Sequence, residues 1–196
     1  MIKLDSICVF CGSREGNDQK IIDVASELGH SLAENDITLI YGAAKIGIMG
    51  LVANAALSKK GSVIGIIPEF LKLKEVVHLG LSELIVTENM HERKMLMQVK
   101  SDGFITMPGG MGTFEELFEI LTWLQLGLHS KPIGLLNINH YFDDLLLMLE
   151  KMVRKGFLAI DNLELLIVDD QIDCLLTKMK NFKDPKKTKL LNKKKL

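Results

Sequence analysis

Seven short runs rich in β-branched and apolar residues recur along the chain: SICVFC from Ser6, ITLIYG from Ile37, SVIGII from Ser62, ELIVT from Glu83, GFITMP from Gly103, PIGLLN from Pro132 and LELLIVD from Leu163. Between most of them lie stretches of helical period, at about Asp18–Asn35, Gly47–Lys59, Asn89–Ser101, Thr113–Leu126, Tyr141–Lys155 and Gln171–Lys180. This alternation constrains the fold more than any other feature, because strands separated by whole helices are joined most readily in parallel. The expected fold is α/β: a Rossmann-like, doubly wound parallel sheet with helices on both faces.

At 196 residues and 47% hydrophobic content, the chain can bury one substantial core. We expect a single domain over residues 1–182, followed by a lysine-rich, flexible and solvated tail over 183–196, KDPKKTKLLNKKKL. The net charge of −1 offers no global field for nucleic acid, so none is expected as a partner. No apolar run is long enough to span a bilayer, and the first residues enter a strand pattern too early for a signal peptide, so a cytoplasmic protein without a membrane partner is expected.

Cys8 and Cys11 form an isolated C-x-x-C. On a strand, residues three apart point to opposite faces, and no second pair completes a zinc site. Buried apolar thiols are therefore expected, and no metal.

In a doubly wound sheet, ligands lie beyond the carboxyl ends of the strands, so the turns that follow strands carry the chemistry. Four stand out: FCGSREG, YGAAKIGIMG, TENMHERK and MPGGMGTFEE. The first has Gly12 and Gly16 without the central glycine of a dinucleotide fingerprint, and the second strand ends LIYG rather than in an acidic residue, which disfavours NAD. The fourth lacks the G-K-[ST] of a P-loop. What Gly109, Gly110 and Gly112 can do is bring backbone N–H groups against one phosphate at the start of the helix near Thr113. Ser13 in the first turn and Gly42 and Gly47 in the second are further candidate contacts; turn-making and helix packing explain these glycines equally well.

Glu115 and Glu116 are neighbours and diverge on a helix, so only one can face a site. Thr113-x-x-Glu116 also reads as a capping box, which would occupy Glu116 with a backbone N–H. Capping and catalysis are both open at this point. Arg93, in the first turns of the helix after LIVTEN, can offer a planar fork to a phosphate or stabilise charge at a reacting sugar, whereas His91 reads as a local hydrogen-bonding residue.

PGGMGTFEE and MHERK together resemble the paired signatures of the LONELY GUY family of phosphoribohydrolases, and the likeness runs from FCGS to LLNINHYFDDLL. The resemblance implies a usually dimeric Rossmann-like enzyme that cleaves adenine-type nucleoside 5′-monophosphates, AMP or cytokinin riboside monophosphates, to free base and ribose 5-phosphate without a cofactor. It implies Arg93 and Glu116 as the catalytic pair. It further implies substrate contacts at Lys94, Gly110, Met111, Gly112, Thr113, Phe114, Glu115, Thr122 and Glu75. The sequence departs from the family in placing Ala43 and Ala44 where consecutive glycines are common. A non-catalytic nucleotide-binding module is the alternative. An older family label, lysine decarboxylase, would require a Schiff-base lysine that nothing here singles out. The helix TFEELFEILTWLQLGL is apolar on almost every side, which suggests partial burial in a homodimer interface.

Overall fold

A computed structural model describes residues 1–72 and 76–183. Glu75 and nearly all of the lysine-rich stretch lie outside the described residues. The strands are β1 (Ser6–Phe10), β2 (Thr38–Tyr41), β3 (Val63–Pro68), β4 (Glu83–Thr87), β5 (Gly103–Thr106), β6 (Ile133–Leu136) and β7 (Leu166–Asp169). All pair in parallel, in the order β4-β3-β2-β1-β5-β6-β7, with Ile7 of β1 opposite Leu39 on one side and Gly103 on the other. The helices are α1 (Gln19–Glu34), α2 (Gly47–Ser58), α3 (Glu69–Lys72), α4 (Met90–Lys100), α5 (Met111–Leu126), α6 (Asp143–Arg154), α7 (Ile160–Leu163) and α8 (Ile172–Lys180).

The central strands are buried along their whole length, as the unbroken apolar runs require when both faces are covered. On one face Ile7, Val9, Leu39 and Ile105 pack with Leu28 of α1, Val52 of α2 and Leu175 of α8. On the other, Cys8, Phe10, Ile40 and Phe104 pack with Met97 of α4, Leu117 and Leu124 of α5 and Leu149 of α6. Cys8 and Cys11 thus belong to opposite cores, too far from a common direction to share an ion, and burial pushes both thiols up, Cys8 well above its ordinary value.

The strands and the long helices fall where the periodicities place them, within a few residues at their ends. Asp18 caps α1 by accepting from the Lys20 N–H at 2.9 Å, and Asn89 caps α4 by accepting from the Glu92 N–H at 2.9 Å. α5 starts at Met111, two residues before Thr113, with Gly110 as its cap. The short α3 and α7 and a single 3₁₀ turn at Ile138–His140 have no counterpart in the sequence pattern. Among the described residues, no helix is long and apolar enough to cross a membrane.

Candidate active site

The strand order reverses between β1 and β5: chain order runs outward from β1 through β2, β3 and β4, then resumes at β5 on the other side. The loops after β1 and β5 therefore diverge and leave a crevice. They are laced together at its base, where the Gly12 N–H donates to the Pro108 carbonyl at 3.1 Å and the Met49 N–H donates to the Gly12 carbonyl at 3.2 Å.

The glycines of the β5–α5 loop divide in two. A side chain on Gly109 would meet Thr113 Oγ1 at 2.1 Å and the Gly12 nitrogen at 2.7 Å, so this glycine serves close packing. Gly110 and Gly112 have nothing within 4 Å of the same position and border open space. Gly110 is extended and offers no side chain to the helix start, which leaves the positive end of α5 without a side-chain cap.

This geometry corrects the capping-box reading of Thr113 and Glu116. Thr113 is the third residue of α5, buried, and its N–H donates to the Gly110 carbonyl at 3.0 Å. Glu116 is released from capping and turns toward α4, where its Oε1 lies 3.8 Å from Nη2 of Arg93. A reciprocal cap does form, but on α4, where Glu92 Oε2 accepts from the Glu88 N–H at 2.8 Å while Asn89 caps Glu92. That cap fixes the helix turn from which Arg93 projects.

Arg93 is 7% exposed. Its Nη1 lies 3.7 Å from the Met90 thioether, a weak acceptor, and its Nε has no hydrogen-bond partner. A buried guanidinium with unused donors beside open space is an anion or hydroxyl receptor in waiting. Burial pushes the Glu116 carboxyl up to about 7; Arg93 opposes the shift and Glu115 adds to it. Glu116 is therefore near half-ionised at neutral pH, where a proton acceptor is most effective.

The cleft above this pair holds about 240 Å³. Of the candidate residues, Ser13, Arg93, Gly110, Met111, Gly112, Thr113, Glu115 and Glu116 line it. Gly42 and Gly47 are buried beneath it, Gly42 against Arg93 and Gly47 against the backbone of Ser13. Phe114 turns toward the sheet and meets Phe142 edge-on, with ring centroids 5.8 Å apart. Thr122 lies two turns farther along α5 and lines a separate apolar groove of about 210 Å³ with Phe118, Leu149 and Met152. Lys94 is ion-paired with Glu115 and reaches Glu119 at 3.3 Å. Although burial works to lower it, the two carboxylates hold its ammonium above its ordinary pKa.

Sequence reasoning missed Cys11, Met49 and Met90 as cleft walls. All three lie in or beside the turns already singled out, but nothing in a methionine's own chemistry distinguishes a cleft wall from core.

At the departure from the family pattern, the turn is built with alanine. Ala43 adopts a left-handed φ of 66° without glycine's freedom. Its methyl is accommodated because Gly65 on β3 has no side chain; one there would come within 2.8 Å of it. Residues 76–78 lie across this turn, the Lys45 N–H donating to the Val76 carbonyl at 2.7 Å and the His78 N–H donating to the Ala43 carbonyl at 2.9 Å.

A family model described as "Possible lysine decarboxylase" matches residues 49–179. A cytokinin riboside 5′-monophosphate phosphoribohydrolase of Arabidopsis thaliana is 46% identical over 153 residues, which cover 78% of this chain and 72% of the relative. The chain belongs to the LONELY GUY family. A bacterial LONELY GUY relative, the cytokinin riboside 5′-monophosphate phosphoribohydrolase of Rhodococcoides fascians, is 47% identical over 155 residues, 79% of this chain and 78% of the relative. The molybdenum cofactor binding protein of Rippkaea orientalis shares the fold at a TM-score of 0.68, with 23% identity, covering 92% of this chain and 98% of that one. The decarboxylase wording of the family model fits the cleft poorly. A lysine that forms Schiff bases needs a depressed pKa, and the lysine nearest Glu116, Lys94, is shifted the other way.

Proposed function

We propose that this chain hydrolyses the N-glycosidic bond of an adenine-type nucleoside 5′-monophosphate, releasing free base and ribose 5-phosphate. The observation that carries the reading is the pairing of buried Arg93 with half-buried Glu116 beside a helix start with no side-chain cap. In this mechanism the N–H groups at the start of α5, with Gly110 and Gly112 leaving room, hold the 5′-phosphate. Binding energy from that remote group then holds the ribose for cleavage at C1′. As the bond to the base lengthens and its electron pair leaves with the base, positive charge develops on the sugar. Ionised Glu116 stabilises it and accepts a proton from the attacking water, and passing that proton on to the departing base releases it neutral and restores the carboxylate. Arg93, with donors to spare, orients the sugar–phosphate and keeps Glu116 from rising still further in pKa.

Incubation with AMP and with a prenylated adenosine monophosphate, scored by free base and ribose 5-phosphate, tests the reading. Release of both products by the wild type and none by Glu116→Gln is the expected result. Tight AMP binding with no ribose 5-phosphate from either nucleotide would leave the non-catalytic nucleotide-binding module as the correct reading.

We propose as well that the chain pairs with a second copy of itself through the outer face of α5 and the groove beside it. Phe118, Leu126 and Leu128 are exposed there, 38%, 67% and 66% respectively, next to an apolar groove able to receive such side chains. Elution at monomer mass in gel filtration would contradict this.

A further inference from the structure

Gly42 opens the turn after β2, directly under the guanidinium of Arg93. Its backbone is outside the left-handed region, so the chain's path there does not call for glycine. The space does. A β-carbon on residue 42 would stand 2.3 Å from Nη2 of Arg93 and 3.1 Å from the Met49 sulfur. Nη2 is the same nitrogen that faces Glu116 at 3.8 Å.

We propose that Gly42 is a positioning residue for the reaction: its bare α-carbon is the floor on which Arg93 lies, and it sets the distance between Arg93 and Glu116. The proposal rests on the catalytic reading of that pair. Among the described residues, few hydrogen bonds seat the guanidinium: Nη1 meets the thioether of Met90 at 3.7 Å, and Nε has no hydrogen-bond partner. With no strong hydrogen bond to fix its direction, packing against this floor decides where it lies. Relieving a carbon at 2.3 Å to the ordinary contact near 3.4 Å moves Nη2 by about 1 Å. The atom that must give way is the far end of a flexible side chain, so the substitution perturbs the site and leaves the fold.

The experiment is a double-mutant cycle of Gly42→Ala with Arg93→Lys. Lysine has no Nη2, so the clash at 2.3 Å is gone and only the contact with the Met49 sulfur, common to both backgrounds, remains. In the wild-type background Gly42→Ala should lower kcat by ~10-fold or more, the scale of a 1 Å misplacement. It should also move the acid limb of the pH–rate profile by about half a pH unit, because Arg93 is the positive charge that lowers Glu116. In the Arg93→Lys background it should change neither. Where that background turns over too slowly to read, the cycle is scored on the pH midpoint of the Glu116-dependent change in unfolding stability. Equal penalties in both backgrounds, or a wild-type rate and limb in Gly42→Ala, would overturn the assignment of Gly42. Loss of all activity dependence on Arg93 would instead overturn the reading on which it rests.

Discussion

Replacing Glu116 by glutamine should make the protein more stable in alkaline solution while abolishing turnover. The Glu116 carboxyl titrates near its ordinary value of 4.5 in the unfolded chain and at about 7 when folded, with burial as the main cause. Between those values the folded state retains a proton that the unfolded chain has already released. Stability from this group is therefore full below about pH 4.5, falls as pH rises through the window, and is lost by about pH 7. A gap of about 2.5 pH units corresponds to about 3 kcal/mol, or roughly 300-fold in the folding equilibrium. Glutamine has the same shape and does not titrate. The advantage of the Glu116→Gln protein over wild type should thus grow by about 3 kcal/mol between pH 4.5 and pH 8.5. All other titrating groups are common to both proteins and cancel in the comparison. The attraction of Arg93 for ionised Glu116, absent from the variant, is already contained in the folded-state value of about 7. Urea unfolding of both proteins at the two pH values measures the difference. Stability curves that stay parallel would refute a Glu116 raised by burial, and with it the case for this residue as a proton acceptor at neutral pH.

Three other outcomes can be checked. The kcat/KM of the wild type should rise with pH along a limb centred near the Glu116 value of about 7 and then level off, and a flat profile from pH 5 to pH 9 would remove the carboxylate from the rate equation. Gly47→Ala forces a side chain into a φ of 70° and brings it 2.3 Å from the carbonyl carbon of Ser13, so a loss of about 2–4 kcal/mol in chemical unfolding is expected, together with weaker nucleotide binding. Ala43→Gly relieves a left-handed alanine but removes a buried methyl and loosens the unfolded chain; these terms are each about 1 kcal/mol and opposed, so the melting temperature should stay within a few degrees of wild type.

The periodic part of the sequence carried the architecture. Alternation of apolar runs with amphipathic ones was enough to place the sheet, its two covered faces and the end at which the site lies. It failed where local and tertiary signals compete. Thr113-x-x-Glu116 satisfies every local requirement of a capping box, yet α5 starts two residues earlier and Arg93, brought in by α4 on the same face of the sheet, faces Glu116 instead. A pattern confined to four residues cannot register a partner twenty-three positions upstream. Gly42 shows the same limit: its composition-level meaning, a turn, is compatible with the structure, but the reason for a glycine is a guanidinium that lies far along the chain. The pieces at α3, α7 and Ile138–His140 are too short for any period to show. In the last of these, Asn139 and His140 are both left-handed, a conformation set by contacts such as Asn139 Nδ2 donating to Asp18 at 2.7 Å rather than by turn-forming glycine.

The central position of β1 bears on how the protein is made. β1 leaves the ribosome before the other described strands, and β2 can cover one of its edges soon afterwards. Its other edge belongs to β5, with Ile7 opposite Gly103. At ordinary synthesis rates of about 5–20 residues per second, that edge waits about 5–20 s for its partner. During the wait a strand apolar but for Ser6, SICVF, presents open hydrogen-bonding groups with no charge or proline to blunt them. The nascent chain should therefore be most dependent on chaperones, and most prone to aggregate on slowed translation, between the emergence of residue 41 and that of residue 106.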